Sequence, residues 1–207
     1  MVKRWLSRYL ALKQLLAENA LAQRYLVIDL ELTGLDPKQH EIVSIAWVLI
    51  DNQCIKLSQA QHAINKDVQR LEQSPVYHGI AQQDVAKGEN LAAILTALSA
   101  HFSDAILVFH NATLDWGFLK QAFQTNNMKV QPKLMLDTFH IEKKRLHQQG
   151  HEIGLDDLTL SACRERYALP HYSTHHALTD AMATAELLLA QCHQISRGKE
   201  LKLASLV

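Results

Sequence analysis

The chain has 207 residues, 48% of them hydrophobic and 20% charged, which fits one compact soluble domain with a modest extension. Lys and Arg balance Asp and Glu at 21 each, which argues against tight nonspecific binding to duplex nucleic acid, because that needs clustered positive charge to displace counterions. Cys54, Cys163 and Cys192 form no close pair, which excludes a disulfide framework and a structural zinc site.

No apolar run approaches the roughly 20 residues of a membrane span, and Lys3, Arg4 and Arg8 interrupt the first ten residues. The expectation is a cytoplasmic protein with no signal peptide and no membrane contact.

In chain order, residues 4–22 read as an amphipathic helix with Trp5, Tyr9, Leu12 and Leu16 on one stripe. Its apolar face is expected to be buried, against the domain or another subunit. Tyr25 to Leu30 is a short strand ending in the turn signals Thr33–Gly34 and Asp36–Pro37. Glu41 to Ile50 is a second strand, and Cys54 to Ile64 a third across a tight connection. Helical patterns follow at 90–101 and 113–125, with a strand from Ala105 to His110 between them. Leu134 to Leu136 is a short strand leading into a helix through His147. Residues 155–167 and 176–194 read as helices, and the tail is irregular. Strands first in a meander and then alternating with helices imply an α/β domain with a mixed sheet. We divide the chain into an N-terminal helical extension (1–23), a main domain (24–195) and a tail (196–207).

Four acids stand out. Asp29 and Glu31 are two residues apart on a strand, so both carboxylates project to one face. Such a pair repels unless a cation neutralises it, and Mg²⁺ prefers oxygen ligands of this kind. A lone D-x-E pair is more often two solvated acids. Asp115 opens a helix, where an acid also favours the dipole. Asp180 lies on an apolar helical stripe with Ala183, Thr184 and Leu187, where burial is costly without a partner or metal. His175 lies five residues before Asp180, which suits the loop entering that helix. A loop histidine can take a proton from water. His176 beside it is an ambiguity.

Together these pieces resemble the DEDDh family of 3′–5′ exonucleases. The first motif runs Val27-Ile28-Asp29-Leu30-Glu31-Leu32-Thr33-Gly34-Leu35, and the second runs Phe109-His110-Asn111-Ala112-Thr113-Leu114-Asp115-Trp116-Gly117-Phe118. The third is His175-His176-Ala177-Leu178-Thr179-Asp180-Ala181, and Val76-Tyr77-His78-Gly79-Ile80 resembles the family's histidine–glycine–isoleucine turn. Leu32 stands where many members have threonine, and Leu114 where phenylalanine is common.

The resemblance implies a ribonuclease-H-like fold, a mixed five-stranded sheet flanked by helices. It implies two divalent ions, Mg²⁺ or Mn²⁺, held by Asp29, Glu31 and Asp180, with Asp115 acting largely through a water. It makes His175 the general base, and it leaves His176 at a variable position. Leu30, Thr33, Gly34 and Leu35, with His78, Asn111 and Phe118, are the implied substrate-binding residues. The implied reaction releases nucleoside 5′-monophosphates from single-stranded 3′ ends, DNA being favoured over RNA. The sequence names no polymerase or clamp partner.

Two other readings compete with this one. A noncatalytic binding module would be expected to lose a ligand, yet all four acids and the histidine are present. A zinc hydrolase on His171 and His175, or on His147 and His151, lacks the H-E-x-x-H pattern.

Overall fold

The computed structural model describes residues 2–71, 73–154, 156–173 and 175–207, with side chains from residue 5 onward. Helix α1 (Val2–Ala17) leads through a short 3₁₀ turn (Ala20–Ala22) into β1 (Tyr25–Leu32), β2 (Ile42–Asp51), β3 (Cys54–Ile55) and β4 (Gln61–Ile64). The short helices α2 (Pro75–His78) and α3 (Gln82–Val85) and the longer α4 (Leu91–Ser99) come next. They are followed by β5 (Ile106–Phe109), α5 (Ala112–Thr125), β6 (Met135–Asp137), α6 (Thr138–Gln148), α7 (Leu160–Glu165) and α8 (Ala177–Ser196).

One mixed sheet organises the domain. β1 pairs antiparallel with β2 and parallel with β5, and β5 pairs parallel with β6. Both β3 and β4 pair antiparallel with β2 on its far side. The sheet thus has six strands in five ranks rather than the five strands expected. The third strand, expected to be continuous from Cys54 to Ile64, is broken by a 3₁₀ turn at Leu57–Gln59. Its two ends pair with different stretches of β2, at Ile50–Asp51 and Ser44–Trp47.

Strand alternation divides β1 between two cores. Leu26, Ile28 and Leu30 face a cluster with Ile94, Leu95, Leu98, Leu119 and Phe123 of α4 and α5. Tyr25 and Val27 face the other side, where Ala177, Ala181, Ala185 and Leu188 of α8 pack against Ala46 and Val48 of β2. The alanines recur every four residues on one helix face, so small side chains let α8 lie close to the sheet. Asp29 and Glu31 continue the α8 side of β1.

The two chain ends are locked together. The Ala20 N–H donates to the Leu201 carbonyl at 2.6 Å, and the Leu203 N–H donates to the Glu18 carbonyl at 3.0 Å. The Tyr25 hydroxyl donates to the Ala20 carbonyl at 2.6 Å. Leu201, Leu203 and Leu206 of the tail are buried in the α8 core. Helix α1 ends at Ala17, short of the expected 4–22, because Asn19 caps the 3₁₀ turn by accepting from the Leu21 N–H. The expected burial of the whole stripe does not occur within the chain. Leu15 and Leu16 pack on the core, whereas Trp5, Tyr9 and Leu12 are exposed.

This division predicts two different truncations. Removing residues 1–13 deletes side chains that are exposed from Trp5 to Lys13, and is expected to change stability by less than about 1 kcal/mol. Removing residues 1–22 strips the lock from Tyr25 and the tail leucines and is expected to cost more than about 2 kcal/mol. Urea unfolding of the two truncations checks this, and equal midpoints would contradict it.

Candidate active site

The carboxylates meet at the carboxyl end of β1. Oxygens of Asp29, Glu31 and Asp180 all lie within 4.8 Å of one another. Asp29 and Glu31 come from one strand face, and Asp180 comes from the first turn of α8, which packs on that face. This is the one group of three close metal-ligating side chains among the described residues. Among the described residues neither histidine pair of the zinc reading is completed by a third ligand.

Asp115 reaches the site from the opposite side. It sits in the first turn of α5, on the helix that covers the Leu26–Leu30 face. It is buried and lies outside the close group of three. Its carboxyl accepts a backbone hydrogen bond from Leu30, between Asp29 and Glu31. That contact explains how an acid from the other core still feels the Asp29 and Glu31 charges.

The four acids hold their protons unusually tightly. Burial, then the charges of Asp115, Asp180 and Glu31, push the Asp29 carboxyl well above the ordinary range. Burial and the Asp180 charge push Glu31 up to about 7. Burial raises Asp115 most strongly, with Asp137 and Glu31 adding to it. Asp180 is raised by burial and held back by the backbone hydrogen bond at His175. Hard oxygen donors crowded at this spacing fit a divalent cation, which would remove both the desolvation and the repulsion.

His175 and His176 diverge. His175 adopts a left-handed backbone conformation, φ 69°, and its N–H donates to Asp180 Oδ2 at 2.9 Å. Its ring is exposed and lies edge-on to the exposed Tyr77 ring of α2, with 6.5 Å between centroids. His176 caps α8, accepting from the Asp180 N–H at 3.0 Å, and its ring lies 4.7 Å from His62 of β4. The backbone therefore ties His175 to the acid cluster and turns the His176 ring toward the sheet edge.

The turn after β1 is held tightly. The Thr33 N–H donates to the Glu41 carbonyl, and Thr33 Oγ1 accepts from the Glu41 N–H at 2.9 Å. A Cβ at Gly34 would overlap the His40 ring, so any larger residue there requires that ring to move. Leu30 is buried, whereas Leu35 projects from the turn, 76% exposed. In the histidine–glycine–isoleucine turn, His78 Nδ1 accepts from the Ile80 N–H at 3.0 Å. Its Nε2 is buried without a hydrogen-bond partner among the described residues. Asn111 is exposed at the start of α5, in a left-handed conformation. Phe118 is 3% exposed and packs in the α5 core, where it also lines a pocket with Pro37, His40 and Glu41 of the segment after β1.

Sequence reasoning missed Asp137. Its carboxylate accepts from the Asn111 and Ala112 N–H groups at 2.9 Å each and from the Phe139 N–H at 3.0 Å. It also pairs with His140 Nδ1 at 2.8 Å. One acid at the end of β6 thus caps α6 and clamps the start of α5, the helix that carries Asp115. Tyr77, beside His175, was also not anticipated.

A mixed sheet with a converging acid cluster and a loop histidine defines a metal-dependent hydrolase site of the ribonuclease-H-like class. A family model described as an exonuclease, of the RNase T type, matches residues 26–188. The chain belongs to this exonuclease family, and its motifs are those of the DEDDh branch. It is 33% identical over 124 residues to a DNA polymerase III PolC-type protein of Mycoplasmopsis pulmonis, covering 59% of this chain and 8% of that one. It is 29% identical over 180 residues to the 3′–5′ exonuclease DinG of Staphylococcus haemolyticus, covering 80% of this chain and 18% of that one. The chain thus spans less than a fifth of each of these relatives.

Among solved structures, the nuclease domain of 3′hExo, a DEDDh family member bound to rAMP, superposes with a TM-score of 0.68 at 16% identity. That match covers 89% of this chain and 98% of the other. The E. coli exonuclease I complex with single-stranded DNA gives 0.68 at 18% identity, covering 85% of this chain and 41% of that one. No helix among the described residues is long and apolar enough to cross a membrane.

Two predictions follow from the electrostatics. Raised carboxyl pKa values favour the folded, cation-free protein at low pH, and that contribution is lost as pH rises through the folded value. For Glu31 the loss runs from its ordinary 4.5 to about 7. With chelator present, the melting temperature should therefore fall as pH rises across this window, and Mg²⁺ or Mn²⁺ should reverse the fall. Asp29→Asn should be more stable than the parent at pH 8 in chelator, by about 1 kcal/mol or more. Scanning calorimetry with and without metal checks both, and a metal-independent, pH-flat transition would contradict them. Asp137→Ala is expected to cost about 2 kcal/mol or more in urea unfolding, because several backbone donors lose a charged acceptor.

Proposed function

We propose that this chain is a 3′–5′ exonuclease that removes nucleoside 5′-monophosphates one at a time from single-stranded ends, with two divalent ions, Mg²⁺ or Mn²⁺. The observation that carries the reading is the Asp29, Glu31 and Asp180 group within 4.8 Å, with His175 tied to Asp180.

Asp29, Glu31 and Asp180 would hold the ions, and Asp115 would act from behind β1 through a water. Bound divalent ions supply Lewis-acid stabilisation of the charge that develops on phosphate and leaving oxygen. His175, exposed on its loop, removes a proton from the attacking water. Tyr77 limits the arc through which that ring swings. The stiff turn at Leu30–Leu35 meets the terminal nucleotide, with the Thr33 hydroxyl proton free to be donated and Leu35 wedged against the base. Stacking of this kind holds a strand end without a large basic surface. His78 Nε2, buried and unpartnered, is a donor for the sugar–phosphate end, and Asn111 lies on the exposed rim.

DNA is the favoured substrate, since a relative named above is a DNA polymerase. The alternative is trimming of RNA 3′ ends, which the likeness to a 3′-exonuclease acting on a histone mRNA stem-loop keeps in view. A polymerase or clamp partner is not part of the reading.

The experiment is digestion of 5′-labelled single-stranded DNA and RNA of one sequence in Mg²⁺. A ladder shortening from the 3′ end is expected, faster for DNA. Asp29→Asn and Asp180→Asn should abolish it with the fold intact. His175→Ala should lose about 10²–10⁴-fold in rate while binding the strand end almost normally. His176→Ala should remain close to the parent. Full activity of either aspartate variant would overturn the assignment, and a crippled His176→Ala beside a normal His175→Ala would move the base by one residue.

A further inference from the structure

A groove of about 570 Å³ lies along the edge of the sheet, apart from the acid cluster. Met135 and Leu136 of β6 and Leu206 of the tail form its apolar floor, and His140, Lys143 and His147 of α6 line one wall. β6 is the last strand of the sheet, so the floor is open on that side. We propose that this groove carries the single strand upstream of its 3′-terminal nucleotide, with phosphates on the α6 cations and bases on the apolar floor. The inference rests on the exonuclease reading and adds the path of the strand.

Charge is the first support. The chain as a whole is neutral, yet residues 116–151 carry Lys120, Lys129, Lys133, Lys143, Lys144 and Arg145 against two acids, Asp137 and Glu142. Both acids are buried and engaged. Asp137 is taken up by three backbone N–H groups and His140. Glu142 is paired with Arg145 and accepts from the Tyr167 hydroxyl at 2.7 Å. On the groove wall neither acid therefore cancels the charge of the exposed Lys143, which favours an anionic occupant.

Periodicity is the second support. Positions 140, 143, 144 and 147 are spaced three and four apart, so they form one row along α6. All four are exposed. An apolar floor beside a basic row matches the chemistry of a single strand, whose bases are apolar on their faces and whose backbone is anionic. Continuity is the third support. Asp137 borders the groove and also clamps Asn111 and Ala112, at the start of the helix that carries Asp115. One end of the groove is therefore tied, through Asp137, to the start of the helix that carries Asp115.

The test is the double variant Lys143→Glu/His147→Glu, which leaves alone His140, bound to Asp137, and Lys144, bound to the Val207 carbonyl oxygen. Two substrates are compared in Mg²⁺: a 12-nucleotide single strand and the p-nitrophenyl ester of thymidine 5′-monophosphate, which has no upstream strand. The expected result is a fall of about tenfold or more in kcat/KM on the 12-mer, with the ester unchanged. Binding of a 5′-fluorescent 12-mer in EDTA, followed by anisotropy, should weaken likewise. Its salt slope should become shallower by about 0.7 per lost contact. Unchanged 12-mer binding and hydrolysis would overturn the proposal and leave the groove to another occupant, such as a peptide on the open edge. An equal loss on both substrates would also overturn it, since the groove would then only support the site. If the parent hydrolyses neither substrate, the exonuclease reading fails, and the anisotropy comparison alone still decides the groove.

Discussion

Like-charge repulsion at the end of β1 is the constraint around which this structure is arranged. Two strand carboxylates, one from α8 and one from α5, share a desolvated space in which none of them ionises easily. Folding alone gives no reason to bring them together, since each raised pKa is a cost at neutral pH. The surrounding packing imposes the arrangement. Small residues on α8 let it lie against β1 and β2, which fixes Asp180 beside Asp29 and Glu31. A site that is strained when empty and relieved by a divalent cation is a common compromise at functional centres.

Asp137 and Asp180 show how single carboxylates organise backbone as well as charge. Asp137 ends β6, starts α6 and clamps the first residues of α5, so three elements move as one unit around Asp115. Asp180 takes the His175 N–H and thereby holds a left-handed residue at the entrance to α8. Catalytic placement and helix capping are here the same hydrogen bonds. Perturbing one acid is expected to disturb chemistry and architecture together, which is why charge-removing but shape-keeping substitutions such as Asp29→Asn are informative.

Much of this was legible in the sequence because it depends on local period. The same-face placement of Asp29 and Glu31 follows from strand alternation, and the position of His175 outside α8 follows from the five-residue spacing to Asp180. What was not legible depends on tertiary contact. Asp137 after a three-residue strand looks like an ordinary helix cap, and nothing local reveals that it also holds α5. The break in the third strand arises from pairing with two stretches of β2. Leu201, Leu203 and Leu206 follow no helical or strand period, so the docking of the tail beneath Ala20 was hidden. The α1 stripe looked obligatorily buried, yet only its last turn reaches the core. Phe118 sits within a recognisable motif, but its face of α5 points into packing.

The clustered carboxylates hold protons until a divalent cation displaces them. Titration calorimetry of Mn²⁺ into the protein near pH 7, repeated in two buffers of different ionisation enthalpy, measures the protons released on binding. Net proton release is expected, with both binding and release sharply reduced in Asp29→Asn. Cation binding without proton release, or undiminished binding by Asp29→Asn, would contradict it.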